Sequence, residues 1–138
     1  MDQIERLSQL FVEFYERFSS WEQGVVRETG ITLPQMHTLE IIGSSGQLRM
    51  KELAEKMGIT TGALTVLVDR LVRAGLVVRE PNEHDRRSIL VRLTAEGEQY
   101  FREHHALHLQ LTNELLGPLE PDEVKTLLEI IPKLNSRF

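Results

Sequence analysis

The central part of the chain begins with a short run of apolar residues at helical spacing. Residues 50–57 place Leu53, Ala54 and Met57 on one face of an amphipathic helix. Gly58 follows as a turn residue. The pattern therefore predicts one short helix that ends at a tight turn.

A second amphipathic helix is predicted directly after this turn. Thr60 or Thr61 can cap it, because a hydroxyl oxygen accepts one of the unpaired N–H groups of a first turn. The helix runs to about Ala74, and Gly75 stands where a left-handed residue is needed. Its apolar stripe is Leu64, Leu67, Val68, Leu71 and Val72. Two helices joined by a short glycine turn form a helix-turn-helix, whose second helix enters a DNA major groove.

Two short β-branched runs follow, Leu76–Arg79 and Ile89–Leu93. Residues 81–88 lie between them and are rich in turn-forming and charged side chains. A hairpin with a basic tip appended to a helix-turn-helix is a winged helix.

Long helices are predicted on both sides of this module. Near the N-terminus, apolar residues recur at steps of three and four, which is typical of a helix with a narrow seam. These residues are Ile4, Leu7, Phe11, Phe14, Phe18 and Trp21. The spacing alone leaves open whether the seam packs on its own domain or against a second subunit. A further helix is predicted from about Pro34 to Gly43.

Two more helices are predicted after the hairpin. Thr94 can cap a helix from about Ala95 to Leu116, and another starts near Pro121, with Pro132 expected to kink or shorten it. We interpret the first and last helices as a dimer interface, with residues Ile4, Leu7, Phe11, Phe14, Leu127, Ile131 and Leu134.

The expected fold is thus α-dominated, with about six helices and one small β-hairpin. Residues 1–138 form a single domain, in which 30–97 are the winged helix-turn-helix and 1–29 and 98–138 are dimerisation helices.

Composition narrows the class of protein. The chain has no cysteine, which excludes disulfides and thiol chemistry and predicts a cytoplasmic location. No apolar run approaches the ~18 residues of a membrane span. The net charge is −5, but residues 47–92 hold 9 Lys and Arg against 6 Asp and Glu, whereas the rest holds 7 against 15. The positive charge therefore lies on the module that would bind DNA.

Several segments together resemble the signature of the MarR (multiple antibiotic resistance regulator) family. They are Leu53-Ala54, Val68-Asp69-Arg70-Leu71, Gly75-Leu76-Val77, Asp85-Arg86-Arg87 and the run from Val91 to Gly97. The resemblance covers essentially the whole chain. It implies a homodimeric, sequence-specific transcription regulator, usually a repressor, that binds a pseudo-palindromic operator in double-stranded DNA. Half-site centres should lie roughly 10 base pairs apart.

The second helix offers the residues that would read bases. Arg70 can fork onto a guanine edge, and Thr or Ala methyl groups can contact thymine methyl groups. Many family members have Arg where this chain has Val66, so the operator sequence is not fixed by the resemblance. A structural ion pair is the alternative role for Arg70. The predicted DNA contacts are Thr60, Thr61, Gly62, Ala63, Thr65, Val66, Arg70, Arg73, Asp85, Arg86 and Arg87.

In the hairpin tip, Asp85-Arg86-Arg87 matches the family's Asp-x-Arg element. The resemblance implies that Arg87 enters a minor groove and that Asp85 orients it. A narrow A/T-rich minor groove has a negative potential that attracts a guanidinium group. The alternative is a solvated charged loop.

Histidines suggest a sensor. His104 and His108 are four residues apart, so one helical face can present both to a metal ion. Together with His37 and Glu103, they resemble the arrangement in zinc-responsive uptake repressors of this family. Glu22 is the candidate for a fourth ligand, followed by Glu16 and Glu28. No cofactor is established by the sequence, and zinc is the candidate that it offers.

Two alternatives to zinc stay open for these histidines. Residues 35–43 and 61–65 resemble the branch that represses fatty-acid synthesis genes and responds to acyl chains on acyl carrier protein, so the effector is a metal ion or a lipophilic ligand. The histidines alternatively have a structural role.

Other function classes fit less well. The sequence lacks a Cys nucleophile, a Ser elbow, a phosphate loop and a His-Glu-x-x-His stretch, so we expect no enzyme. A protein-interaction module without DNA binding is the remaining alternative, and it would lack the steep salt dependence of phosphate contacts.

Overall fold

The computed structural model describes residues 2–138. The elements are α1 (Gln3–Arg27), α2 (Leu33–Ser45), β1 (Gln47–Arg49), α3 (Met50–Met57), α4 (Thr61–Arg73), β2 (Val77–Pro81), β3 (Ile89–Leu93), α5 (Ala95–Leu116) and α6 (Pro121–Asn135). Helices dominate and a small antiparallel sheet accompanies them, which confirms the predicted winged-helix fold class. None of the described helices combines the length and the apolar character needed to cross a bilayer.

The helix-turn-helix has the predicted bounds. Gly58 ends α3 in the left-handed conformation, with a φ of 66°, and Gly75 follows α4 with a φ of 77°. A side chain is strained at such φ values, so glycine suits both turns. Leu64, Val68 and Leu71 are buried on one face of α4, as predicted. Of the other two residues of the predicted stripe, Leu67 is half-buried and Val72 is exposed.

The sheet has three strands in the order β1-β3-β2, whereas the sequence predicted only the β2–β3 hairpin. In β1, Leu48 pairs with Val91 and Arg49 pairs with Leu90. A strand of three residues is too short to show an alternating pattern, and its existence depends on pairing with the distant β3. Residues 47–49, for which the sequence predicted no element, therefore form a strand, and α2 extends two residues beyond its predicted end at Gly43.

The core of this region collects apolar side chains from α2, α3, α4 and the sheet. The buried set includes Met36, Leu39, Ile42, Leu48, Leu53, Leu64, Val68, Leu71, Leu76, Val77, Val91 and Leu93. Thr94 joins the sheet to the start of α5: its Oγ1 donates to the Gly75 carbonyl at 2.6 Å and accepts the Gly97 N–H at 3.1 Å. The end of α4 and the first turn of α5 are thus linked by one side chain.

The chain divides into two compact units, Met1–Phe101 and Arg102–Phe138, with the division inside α5. The second unit contains the rest of α5 and all of α6. Pro132 was expected to kink or shorten α6; it does not end the helix, which continues to Asn135. Pro132 lacks its own N–H, but its carbonyl still accepts the Ser136 N–H at 3.0 Å.

Candidate nucleic-acid interface

The N-terminus of α4 is fixed by one of the two predicted caps. Thr60 is the N-cap, and its Oγ1 accepts the Ala63 N–H at 3.1 Å. Thr61 is the first residue of the helix and is exposed. Thr60 therefore stabilises the helix, and the Thr61 side chain remains on the surface.

The surface of α4 opposite the core carries small and polar side chains. Its exposed residues are Thr61, Gly62, Ala63, Thr65, Val66, Arg70 and Arg73. Val66 is apolar but 53% exposed, so it is not part of the core of this chain. Thr65 donates its hydroxyl to the Thr61 carbonyl at 2.8 Å, so its hydrogen is used within the helix. This surface is suited to methyl contacts and to arginine contacts from Arg70 and Arg73 rather than to many other polar contacts.

Ion pairs use three other arginines of the module, and Arg49 lies 3.6 Å from the Glu52 carboxylate. Arg79 on β2 bonds the Asp69 carboxylate on α4, and Arg92 on β3 bonds Glu80 at 2.7 Å. The alternative role proposed for Arg70 was an ion pair with a neighbouring acid. Asp69 is paired with Arg79, and Arg70 takes part in no salt bridge within the described residues 2–138. Arg70 is therefore available to an external partner.

The wing, residues 82–88 between β2 and β3, is ordered by side chains that bond the backbone. The Asp85 carboxylate accepts the Arg87 N–H at 3.0 Å, and Asn82 Oδ1 accepts the His84 N–H at 3.0 Å. Asn82 also donates to Ser88 Oγ at 3.0 Å. These bonds fix the backbone that carries Arg87; that Asp85 orients the Arg87 side chain towards a minor groove stays a prediction.

A groove lies between the wing and the N-terminal ends of α3 and α4. We call it the wing groove; it measures about 460 Å³ and is lined by Arg49, Met50, Lys51, Thr61, Asp85, Arg87, Ser88 and Ile89. Arg87 lines it and Arg86 does not. Sequence reasoning missed Arg49 and Lys51, although two basic residues around the first turn of a helix-turn-helix were a visible signal.

The predicted metal ligands lie on three helices. On α5, His104 and His108 place their Nε2 atoms 3.0 Å apart. In the other unit, Glu22 on α1 and Glu40 on α2 have carboxylate oxygens within 4.8 Å of one another. His37 is exposed on α2. Glu40 was not among the predicted ligands, and the ligand role of His37 stays a prediction.

The predicted dimerisation helices both expose apolar side chains. On α1, Ile4 is 75% exposed and Phe11 is 56% exposed, and Leu7 and Phe14 are also on the surface. On α6, Ile131 and Leu134 are exposed and Leu127 is half-buried. Large apolar side chains at this density on a helix surface are typical of interaction sites.

Comparison with known proteins gives a consistent result. Residues 31–89 match the model of the MarR family. The multiple antibiotic resistance protein MarR of Escherichia coli (strain K12) is 38% identical over 105 residues, which are 75% of this chain and 73% of that protein. The transcriptional regulator YfiV of Bacillus subtilis (strain 168), itself uncharacterised, is 38% identical over 106 residues, 75% of this chain and 66% of that protein.

A solved structure shows the same fold together with DNA. It is a mutant MarR from E. coli complexed with operator DNA, 30% identical to this chain. The match has a TM-score of 0.74 and covers 97% of this chain and 99% of that one.

Proposed function

The chain belongs to the MarR family, and on that premise we propose that it represses transcription as a homodimer on a pseudo-palindromic operator. The recognition helix of each subunit is α4, which would enter a major groove, while the wing enters the neighbouring minor groove. The observation that carries this proposal is the exposure of Thr61, Val66 and Arg70 beside a wing whose backbone is fixed by Asp85.

Charge supports the proposed DNA contact. The ion pairs Arg79–Asp69 and Arg92–Glu80 hold two arginines within the module. Arg70, Arg86 and Arg87 are exposed and form no salt bridge within residues 2–138. The exposed cations of the module that form no salt bridge within residues 2–138 lie on α3 (Lys51, Lys56), on α4 (Arg70, Arg73) and on the wing (Arg86, Arg87).

The proposal also assigns separate parts of the chain to DNA binding and to dimer contacts. Residues 30–97 would form the DNA-binding module, and residues 1–29 and 98–138 would supply the dimer contacts. Exposed seams on α1 and α6 support this assignment, because a second copy of the chain would bury them.

The test is binding of purified protein to the DNA upstream of its own gene, compared with an unrelated duplex at several salt concentrations. We expect tighter binding to the upstream DNA and a log-linear fall in affinity with salt. Equal, weak and salt-insensitive binding to both duplexes would favour a protein-interaction module instead.

A second candidate function adds control by zinc, and the His104–His108 pair is the observation that favours it. Two nitrogen ligands about 2.0–2.1 Å from a tetrahedral zinc ion lie about 3.3 Å apart. The two Nε2 atoms lie 3.0 Å apart and share a hydrogen bond, which zinc would replace at a separation about 0.3 Å longer. Glu22 and His37 remain predicted further ligands.

This candidate is tested by repeating the DNA titration with chelator and then with zinc. Binding that needs zinc, is lost in His104→Ala and His108→Ala, and persists in His105→Ala would establish metal control. His105 is an exposed histidine on the same helix and serves as the control. Equal binding with and without zinc would leave an acyl-chain ligand or a structural role for the pair.

A further inference from the structure

The wing groove lies where the geometry of DNA demands a contact. If α4 occupies a major groove and the wing occupies the adjacent minor groove, one sugar-phosphate strand separates the two grooves. That strand must pass between α4 and the wing. In this chain the space between them is the wing groove.

The groove presents more positive than negative charge to whatever occupies it. The groove is lined by three cationic side chains, those of Arg49, Lys51 and Arg87, and by one carboxylate, that of Asp85. Thr61 adds a hydroxyl group that can donate a hydrogen bond to a phosphate oxygen, whereas the Ser88 hydroxyl already donates to the Asp85 carbonyl at 3.2 Å. Phosphate oxygens accept such bonds from lysine, arginine and hydroxyl groups without regard to base sequence.

We propose that the wing groove binds the backbone phosphates of this separating strand, and that Lys51 and Arg49 are DNA-contacting residues. The proposal rests on the proposed function, since it requires α4 and the wing to engage adjacent grooves of duplex DNA. It assigns to the start of α3 a contact that positions the recognition helix along the strand. In this proposal Arg87 contacts the phosphates of the separating strand as well as the minor groove.

Lys51 is the stronger of the two new residues. Arg49 lies 3.6 Å from the Glu52 carboxylate, so part of its charge is already compensated. Lys51 is exposed, and none of the salt bridges in the described part of the chain includes it. A phosphate would therefore meet an uncompensated ammonium group at Lys51.

The experiment compares Lys51→Gln with the wild type on the upstream duplex and on an unrelated duplex, over a series of salt concentrations. We expect about a three- to tenfold loss of affinity on both duplexes, because a phosphate contact carries no sequence information. The slope of log affinity against log salt should become shallower by about 0.9 for each phosphate that the variant no longer neutralises. Lys51→Arg, which keeps the positive charge, should restore most of the slope.

Lys56→Gln is the matched control. Lys56 is an exposed lysine at the other end of the same helix and does not line the groove. Lys56→Gln removes the same single positive charge as Lys51→Gln, so any general effect of net charge appears in both variants. We expect its salt slope to stay close to that of the wild type.

Three results would overturn the proposal. Lys51→Gln with wild-type affinity and slope would remove the phosphate contact, and a loss confined to the upstream duplex would make Lys51 a base-reading residue. Equal effects of Lys51→Gln and Lys56→Gln would reduce the role of Lys51 to net charge. A wild-type protein that binds neither duplex would instead refute the proposed function, so the two failures are distinguishable.

Discussion

At the scale of single residues, the two arginines at the wing tip differ in where they lie. Arg87 lines the wing groove and its N–H is bonded to the Asp85 carboxylate, whereas Arg86 is exposed outside the groove. A side chain on an oriented backbone loses less conformational freedom when it binds, so more of its interaction energy appears as affinity.

We therefore expect Arg87→Ala to weaken DNA binding about tenfold or more, since a hydrogen bond to a charged group contributes about 1.5–3 kcal/mol. Arg86→Ala should have a clearly smaller effect. Fluorescence anisotropy with labelled duplex measures both, and sedimentation should show that the oligomeric state of each variant is unchanged. Equal losses in the two variants would contradict the distinction drawn from the groove.

Some of these residue assignments were predictable from the sequence and some were not. Apolar spacing predicted the buried face of α4, and so predicted that Val66 and Arg70 lie on the surface. The spacing could not tell which of Thr60 and Thr61 caps the helix, since both precede the same first turn. Lys51 was missed because its position beside the wing depends on chain folding, which brings residues 49–51 next to residues 85–89.

At the scale of elements, the start of α5 packs directly on the turn that follows α4. A Cβ atom added at Gly97 would lie 2.0 Å from the Leu76 carbonyl oxygen, which is backbone and cannot move aside cheaply. Gly97 is therefore required by close packing, even though glycine normally weakens a helix.

We expect Gly97→Ala to lower the free energy of unfolding by about 1–3 kcal/mol, the usual cost of overpacking. Gly24→Ala on α1 is the control, because nothing lies within 4 Å of its added Cβ. Alanine is the better helix former by about 1 kcal/mol, so the control should stabilise slightly. Denaturant unfolding at one fixed protein concentration measures the free energy of unfolding of both variants. A Gly97→Ala variant as stable as the wild type would contradict the close packing at Gly97.

The elements themselves were predicted to different extents. Both helices of the helix-turn-helix and α5 have the predicted bounds, because capping threonines, terminal glycines and long apolar patterns act locally. β1 was missed because three residues carry no periodicity, and it exists only through pairing with β3. Proline in α6 was expected to kink or shorten the helix, but the loss of one N–H does not end α6 at Pro132, and the helix continues to Asn135.

At the scale of the whole molecule, the dimer was inferred from seams that a single chain leaves uncovered. The α1 spacing could not distinguish packing within the chain from packing between chains. The exposure of Phe11 and Ile4 supports contacts between chains. In a symmetric dimer each interface residue occurs twice, so one substitution alters the interface at two places.

Phe11→Asp should therefore dissociate the dimer. Burying one Phe side chain contributes about 1.5–3 kcal/mol, so removing both copies costs about 3–6 kcal/mol, which is at least roughly 100-fold in the dimer dissociation constant. Gln9→Asp introduces a carboxylate on the same helix about 200° away from Phe11 and serves as the control. Analytical ultracentrifugation measures the association of both variants.

DNA binding should follow the dimer. With two linked recognition helices, the second half-site is bound at a high effective concentration, and a monomer does not have this advantage. Phe11→Asp should bind the full operator little better than a single half-site, whereas Gln9→Asp should keep the difference. A Phe11→Asp protein that remains dimeric would place the dimer contacts elsewhere. A Phe11→Asp protein that becomes monomeric yet still prefers the full operator would show that α4 and the wing bind DNA without dimer formation.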